Sequence, residues 1–211
     1  MKPETITAWH FLPANGRLTK GDNRKPVLNR WLHSEGTPKL CHHGLHASVA
    51  ILDALKYAPG PVLCRVLLKG DIQHGGDKYV ARSRKVIAKA DVSLALHKFA
   101  IACARRALRR GSNPDPRSLA ALRVKARWLA GKATDEELAD AHAAAYDAVC
   151  GSTKDAVCDA AEKAAYCASY STAHHAAYYA SYYATHYVAR DAEQAWQTKN
   201  LTRLIKKYHN L

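Results

Sequence analysis

From Ala144 onward the chain repeats every four residues, and this period constrains its fold more than any other feature. The tetrads read AAYD, AVCG, STKD, AVCD, AAEK, AAYC, ASYS, TAHH, AAYY, ASYY, ATHY and VARD, and small or β-branched residues lead nearly every unit. An α-helix turns every ~3.6 residues, so a period of four drifts by ~40° per repeat and winds the small-residue stripe right-handedly around the axis. A single straight neighbour cannot follow such a stripe. The segment is therefore either one long helix met by different elements along its length, ~72 Å at ~1.5 Å per residue, or several helices broken near Gly151. The other columns collect rings: Tyr166, Tyr170, His174, His175, Tyr178, Tyr179, Tyr182, Tyr183, His186 and Tyr187. Such rings read first as packing surface, and Tyr178, Tyr179, Tyr182 and Tyr183 as the aromatic surface that a partner could use.

Upstream the texture is different. Residues 1–92 alternate short apolar runs with turn signals such as Pro13-Ala14-Asn15-Gly16 and Pro59-Gly60-Pro61. Val62, Cys64, Val66 and Leu68 fall on one side of a period-2 run with Arg65 and Lys69 on the other, the pattern of a half-buried strand. Tyr79 to Ala88 reads as a further strand. Ser48 is placed to cap a short helix carrying Ile51, Leu52 and Leu55 that stops at Pro59. Beyond Ser93 the pattern is helical: one helix to Arg110, one from Pro114-Asp115-Pro116 to Gly131, and one starting at Thr134, where Thr134 and Glu137 form a capping box.

The expected fold is α+β, with a strand-containing domain at 1–92 and an Ala-rich helical region at 93–211. The latter divides into basic helices (93–131), tetrad-repeat helices (134–196) and a basic tail (197–211). No apolar stretch predicts a signal peptide or a spanning helix. Six cysteines without a CxxC pair fit reduced thiols in a cytosol.

A net charge of +14 predicts an anionic partner. The charge concentrates in residues 96–134, where ten Lys and Arg face the single acid Asp115. Arg105, Arg106, Arg109 and Arg110 share one helical stripe. Arg123, Lys125 and Arg127 extend the basic character to the next helix, and together these seven are the candidate contacts to phosphate. In Cys41-His42-His43-Gly44-Leu45-His46, neighbouring ligand types have no second cluster to complete a zinc shell, so no metal and no cofactor is expected. Small-residue stripes also permit a homo-oligomer.

Gly44-Leu45-His46-Ala47-Ser48, together with Ala-Trp-His-Phe-Leu-Pro at residues 8 to 13, Tyr57-Ala58-Pro59-Gly60-Pro61 and Asp77-Lys78, resembles a family of uncharacterised phage and prophage proteins. Members of that family end in Ala-rich tetrads and a segment similar to Gln197 to Lys206. The resemblance spans essentially the whole chain and implies a phage origin and a life in the bacterial host cytoplasm. Tyr and His occupy tetrad columns where the family more often carries Arg, Asp and Trp. Expected functions are an accessory protein binding nucleic acid or a host nucleoprotein complex, including inhibition of a defence complex, or a self-associating virion or assembly component.

His10 on the first strand, the turn after Gly44, a short helix and the strand from Val62 to Leu68 are also similar to ADP-ribosyltransferase folds. That similarity implies His10 on the ribose of NAD and Ser48 or Tyr57 near the nicotinamide, with His43, His46 and Lys78 as further pocket candidates. The catalytic glutamate of those enzymes has no counterpart here. No Glu occurs between Glu35 and Glu136, and only Asp71, Asp77 and Asp91 are at hand.

Overall fold

The computed structural model describes residues 5–19, 22–110, 113–150, 163–168, 190–209 and 211. The chain is α+β and forms two compact units, Met1–Ser93 with Ile205–Leu211, and Leu94–Leu204. No helix among the described residues is long and apolar enough to cross a membrane.

The first unit contains β1 (Ile6–Leu12), β2 (Trp31–His33), β3 (Leu45–Ala47), α1 (Ile51–Lys56), β4 (Val62–Lys69), β5 (Gln73–Gly75), β6 (Lys78–Ala81) and β7 (Ser83–Asp91). Two antiparallel sheets result, ordered β1-β4-β7-β2 and β3-β6-β5. Side chains alternate across a sheet, and the register shows which share a face. Trp9 lies opposite Arg65, Leu67 between Thr7 and Lys85, and Lys85 opposite Trp31. The other face carries Ala8, Leu12, Cys64, Val66, Leu68 and Val86, which bury with Ala47 and Ala81 as the core. Arg65 and Lys69 thus stand on the face opposite Cys64, Val66 and Leu68, as the period-2 reading predicts, although the Phe11–Leu63 end of their face is buried as well.

Two local expectations are corrected. Tyr79 to Ala88 is not one strand: β6 ends at Ala81 and β7 begins at Ser83, parted at Arg82, whose Nε donates to Asp71 Oδ2 at 2.7 Å. Ser48 does not cap α1, which begins after Ala50 with no side-chain cap. Ser48 is buried and forms a backbone bridge with Trp9, each N–H donating to the other's carbonyl at 2.7 and 2.9 Å. α1 starts at Ile51, so the N-cap position falls on Ala50, two residues past Ser48.

The second unit contains α2 (Ser93–Leu108), α3 (Pro116–Trp128), α4 (Asp135–Cys150) and most of α5 (Arg190–Tyr208). Asp115 caps α3 by accepting from the Arg117 N–H at 2.8 Å, with Pro116 at the first helical position, where its missing N–H has no cost. The capping box of α4 is formed: the Thr134 N–H donates to Glu137 Oε2 at 2.7 Å, and the Glu137 N–H donates to Thr134 Oγ1 at 3.0 Å. Phe99, Leu108, Leu122 and Leu201 are fully buried, each stabilising by about 1.5–3 kcal/mol.

Most of the tetrad repeat, with Tyr178, Tyr179, Tyr182 and Tyr183, lies outside the described residues. Where it is described, the small columns are inside: Ala145 and Ala148 on α4, and Ala164, Ala165 and Ala168 in the helical stretch 163–168. Tyr166 stacks on His142 at 4.5 Å between ring centroids and tilts against Tyr146 at 5.6 Å. That ring, at least, packs within its own unit.

His97 lies edge-on to Trp128, and burial, reinforced by the Lys125 charge, pushes its pKa down to about 4. The folded value lies below the unfolded one of ~6.5, so the unfolded chain takes up the proton first as pH falls. The stabilisation is complete above pH ~6.5 and is lost between there and pH ~4, by about 1–3 kcal/mol allowing for partial burial. Urea denaturation at stepped pH should show this loss, and His97→Gln should remove it; an identical pH profile in the variant contradicts the assignment.

Candidate functional site

Beside the four-stranded sheet lies a cavity of about 940 Å³, bordered by His10 and Arg84 from the core face and by Trp9, Phe11 and His33 from the other. Its walls come from β1, residues 18–19, 22–24 and 33–35, the segment 41–48, α1 and the turn after it, Lys78 and Arg84. The Trp9–Ser48 bridge explains why distant segments meet there. It clips the Gly44-to-Ser48 string onto β1, so His46 of β3 comes beside His10 of β1. All six residues expected in a pocket, His10, His43, His46, Ser48, Tyr57 and Lys78, line this one cavity.

The string is tightly built. Gly44 holds φ at +107°, and a Cβ there would sit 2.6 Å from Val80 Cγ2 and 3.1 Å from Pro38 Cβ. Gly44→Ala therefore combines backbone strain with overpacking and should destabilise the protein by about 3 kcal/mol. A thermal melt within a degree of the parent would refute that reading. The His46 ring is fixed by its neighbours: the Cys41 N–H donates to Nε2 at 3.2 Å and Nδ1 lies 3.1 Å from the Gly44 carbonyl. This pair sets the tautomer with the proton on Nδ1.

Arg84 is the residue that sequence reasoning missed. It lies on the inward side of β7 and is 3% exposed. Nη1 donates to the His46 carbonyl at 2.6 Å, and no carboxylate of the described residues bonds the guanidinium. Asp22 acts on it only through space, since both its oxygens are held by Arg24, Nε to Oδ1 and Nη2 to Oδ2, each at 2.8 Å. Burial lowers the Arg84 pKa to about 10, which leaves it charged at neutral pH. His10 is pushed well below the ordinary histidine value, first by burial, then by Arg84 and His46, and is a neutral imidazole at pH 7. The Cys64 thiol, raised to about 11 by burial, is neutral as well. The deep wall thus presents one cation with no directly bonded carboxylate among the described residues, beside neutral hydrogen-bonding rings.

At the rim, the Tyr57 hydroxyl donates to both Asp77 oxygens at 2.9 and 3.0 Å, and Lys56 bridges Asp77 and Asp53. Lys78 Nζ lies 4.3 Å from the centre of the Tyr57 ring, and its pKa is raised mainly by a hydrogen bond to Cys41.

The acids that the transferase resemblance left at hand are elsewhere: Asp71 pairs with Arg82, Asp77 with Tyr57, and Asp91 accepts from the Ser93 N–H. None of them lines the cavity, whose acids are Asp22 and the exposed Glu35. The cysteine–histidine cluster does not converge: His43 turns to Ser34 and the Glu35 carbonyl, and among the described residues no group of three His, Cys, Asp or Glu could hold a metal.

The basic stripe of the helical unit is smaller than its sequence suggests. Arg106 and Arg110 are ion-paired to Glu193 at 2.7 and 2.8 Å, and Arg106 also covers the Trp196 ring. Arg127 pairs with Glu137. Lys125 does not reach solvent: it is 2% exposed, with Nζ 4.3 Å from the Trp128 ring centre. Arg105, Arg109 and Arg123 are the exposed cations of the seven that have no ion pair among the described residues.

A family model for a domain of unknown function (DUF7666) matches residues 25–98. The match spans β2 to the start of α2 and includes His46, Ser48, Tyr57, Lys78 and Arg84, but not β1 with His10. No curated protein and no solved structure matches the chain.

Proposed function

We propose that the strand-containing unit binds an anionic small molecule of the nucleotide class, with its phosphate on Arg84. One observation carries the reading: a guanidinium 3% exposed, without a carboxylate partner among the described residues, faces a cavity of about 940 Å³. A buried charge is tolerated when it is paired or when a ligand completes it. Cavities of ~300–1,000 Å³ take molecules of this size. Neutral His10 and the fixed His46 ring suit hydroxyl and carbonyl groups of a ribose or base. The Tyr57 ring and Lys78 at the rim suit a further aromatic or anionic part.

The reading is binding rather than turnover. An oxocarbenium-like transition state needs a carboxylate close to the reacting carbon, whereas Asp22 is held by Arg24 and Glu35 is exposed. A phage origin, a host-cytoplasmic setting and a role as an accessory protein go with this proposal, on the motif resemblance of the whole chain.

Calorimetric titration of the full chain with ADP, NAD and adenosine tests it. ADP and NAD should bind, and adenosine, which lacks phosphate, should bind at least ~30-fold more weakly, the equivalent of one to two charge-assisted hydrogen bonds. Equal affinity for adenosine, or no heat with any of the three at millimolar concentration, would sink the proposal.

A further inference from the structure

The second site is the sheet face carrying Trp31, and apart from Trp9, which also borders the cavity, it rests on residues outside the nucleotide site. We infer that the face carrying Trp9, Arg65, Leu67, Lys69, Lys85 and Trp31 binds single-stranded nucleic acid. The register puts these six on one side of the four-stranded sheet, and all are half-buried rather than covered. Arg65 lies over the Trp9 ring at 4.3 Å from its centroid, and Lys69 and Lys85 lie over Trp31 at 4.0 and 5.1 Å. None of the three cations has an ion pair among the described residues, so the face carries three positive charges and two indoles with no acid to balance them.

The partner must therefore be anionic and must have something to offer a flat ring. Single-stranded nucleic acid has both, phosphates for the cations and unstacked bases for the indoles. The cations now over the rings do not bar a base. A half-exposed cation–π contact changes an equilibrium by only ~2- to 5-fold, whereas stacking one base on an aromatic side chain is worth ~5- to 100-fold. A base can displace the ammonium group, which then moves onto the neighbouring phosphate. Leu67 between the two indoles provides an apolar floor for the sugar and base edges.

The anionic partner expected from the net charge then meets the sheet face rather than the helical unit. The arginine stripe of the helical unit spends Arg106, Arg110 and Arg127 on carboxylates and buries Lys125. The sheet face spends none of its three cations that way.

Fluorescence anisotropy of a labelled twelve-nucleotide oligo-dT, titrated with the full chain over a range of salt, tests the inference. Binding should weaken with salt with a log–log slope near −2, about −0.7 for each of three phosphates. Lys69→Glu with Lys85→Glu should reduce affinity at least ~30-fold and flatten that slope. Trp31→Ala should reduce affinity ~10-fold and leave the slope in place. Lys69→Gln with Lys85→Gln provides a milder pair, and circular dichroism establishes that each variant is folded. No binding by the parent, binding that survives the lysine pair, or loss in Arg105→Glu with Arg109→Glu instead would overturn the site. Equal affinity for a duplex would remove the stacking role, and equal affinity for poly-glutamate would give the face to an acidic protein; either result overturns the inference.

Discussion

Arg84→Met should weaken ADP binding by ~100-fold or more and at the same time make the empty protein more stable. Two or more charge-assisted hydrogen bonds to a phosphate, at about 1.5–3 kcal/mol each, account for the loss. The gain comes from the unliganded state, where the guanidinium is 3% exposed, makes one hydrogen bond to the His46 carbonyl and has no carboxylate partner among the described residues. Replacing a buried charge by an apolar side chain of similar reach is neutral or stabilising by about 1–4 kcal/mol. At ~2–4 °C per kcal/mol for a chain of this size, thermal stability should rise by several degrees. A merely structural arginine would show the opposite: a fall in stability, with any ligand effect following from damage to the fold. Calorimetry and thermal melts on the same samples separate the two.

Glu193→Ala should be the most damaging single change in the helical unit. Its carboxylate is 1% exposed, with Oε2 accepting from Arg106 Nε at 2.7 Å and Arg110 Nη1 at 2.8 Å, while Oε1 lies 3.4 Å from Gln197 Nε2. Removing one member of a buried pair typically costs about 3–5 kcal/mol because the remaining charge is left unpaired. The two arginines are 28% and 34% exposed and recover some hydration, so about 2–3 kcal/mol is expected. Urea denaturation should show that drop. Arg106→Ala or Arg110→Ala alone should cost less, since each leaves Glu193 one arginine. A loss below ~0.5 kcal/mol in the glutamate variant would mean that the bridge contributes no more than an exposed pair.

The fold class, the β4 strand, the start of α3 and the capping box of α4 were legible because each rests on neighbours in sequence. Val62, Cys64, Val66 and Leu68 alternate; Asp115 precedes Pro116; Thr134 and Glu137 are three residues apart. The pocket residues His10, His46 and Ser48 could be named from their motif, but their meeting place depends on the Trp9–Ser48 backbone bridge, which no local pattern announces. The local context of Ser48 fits a helix cap, but α1 starts two residues later than that context suggests, with Ala50 at the cap position. Arg84 carries a local signal. It precedes Lys85 and is in phase with inward Val86, so the alternation of β7 turns it to the core. Net charge alone does not distinguish it from the other cations.

Long-range pairing is also why the arginine stripe looked broader than it is. Glu193 is more than eighty residues from Arg106 and Arg110, and nothing between them in sequence signals the contact. Lys125 follows the helical spacing of a surface cation but lies on the buried side of α3, beneath Trp128. The basic and aromatic sheet face needs the pairing of four strands before Trp9, Arg65, Lys85 and Trp31 become neighbours.

A crystal structure of the full chain grown with ADP decides whether Arg84 is held for a phosphate. ADP is expected in the cavity beside the sheet, with a phosphate oxygen within ~3 Å of the Arg84 guanidinium and His10 or His46 on the ribose or base. ADP seated elsewhere on the protein, or a carboxylate of the chain moved onto Arg84 in an otherwise closed cavity, would contradict it.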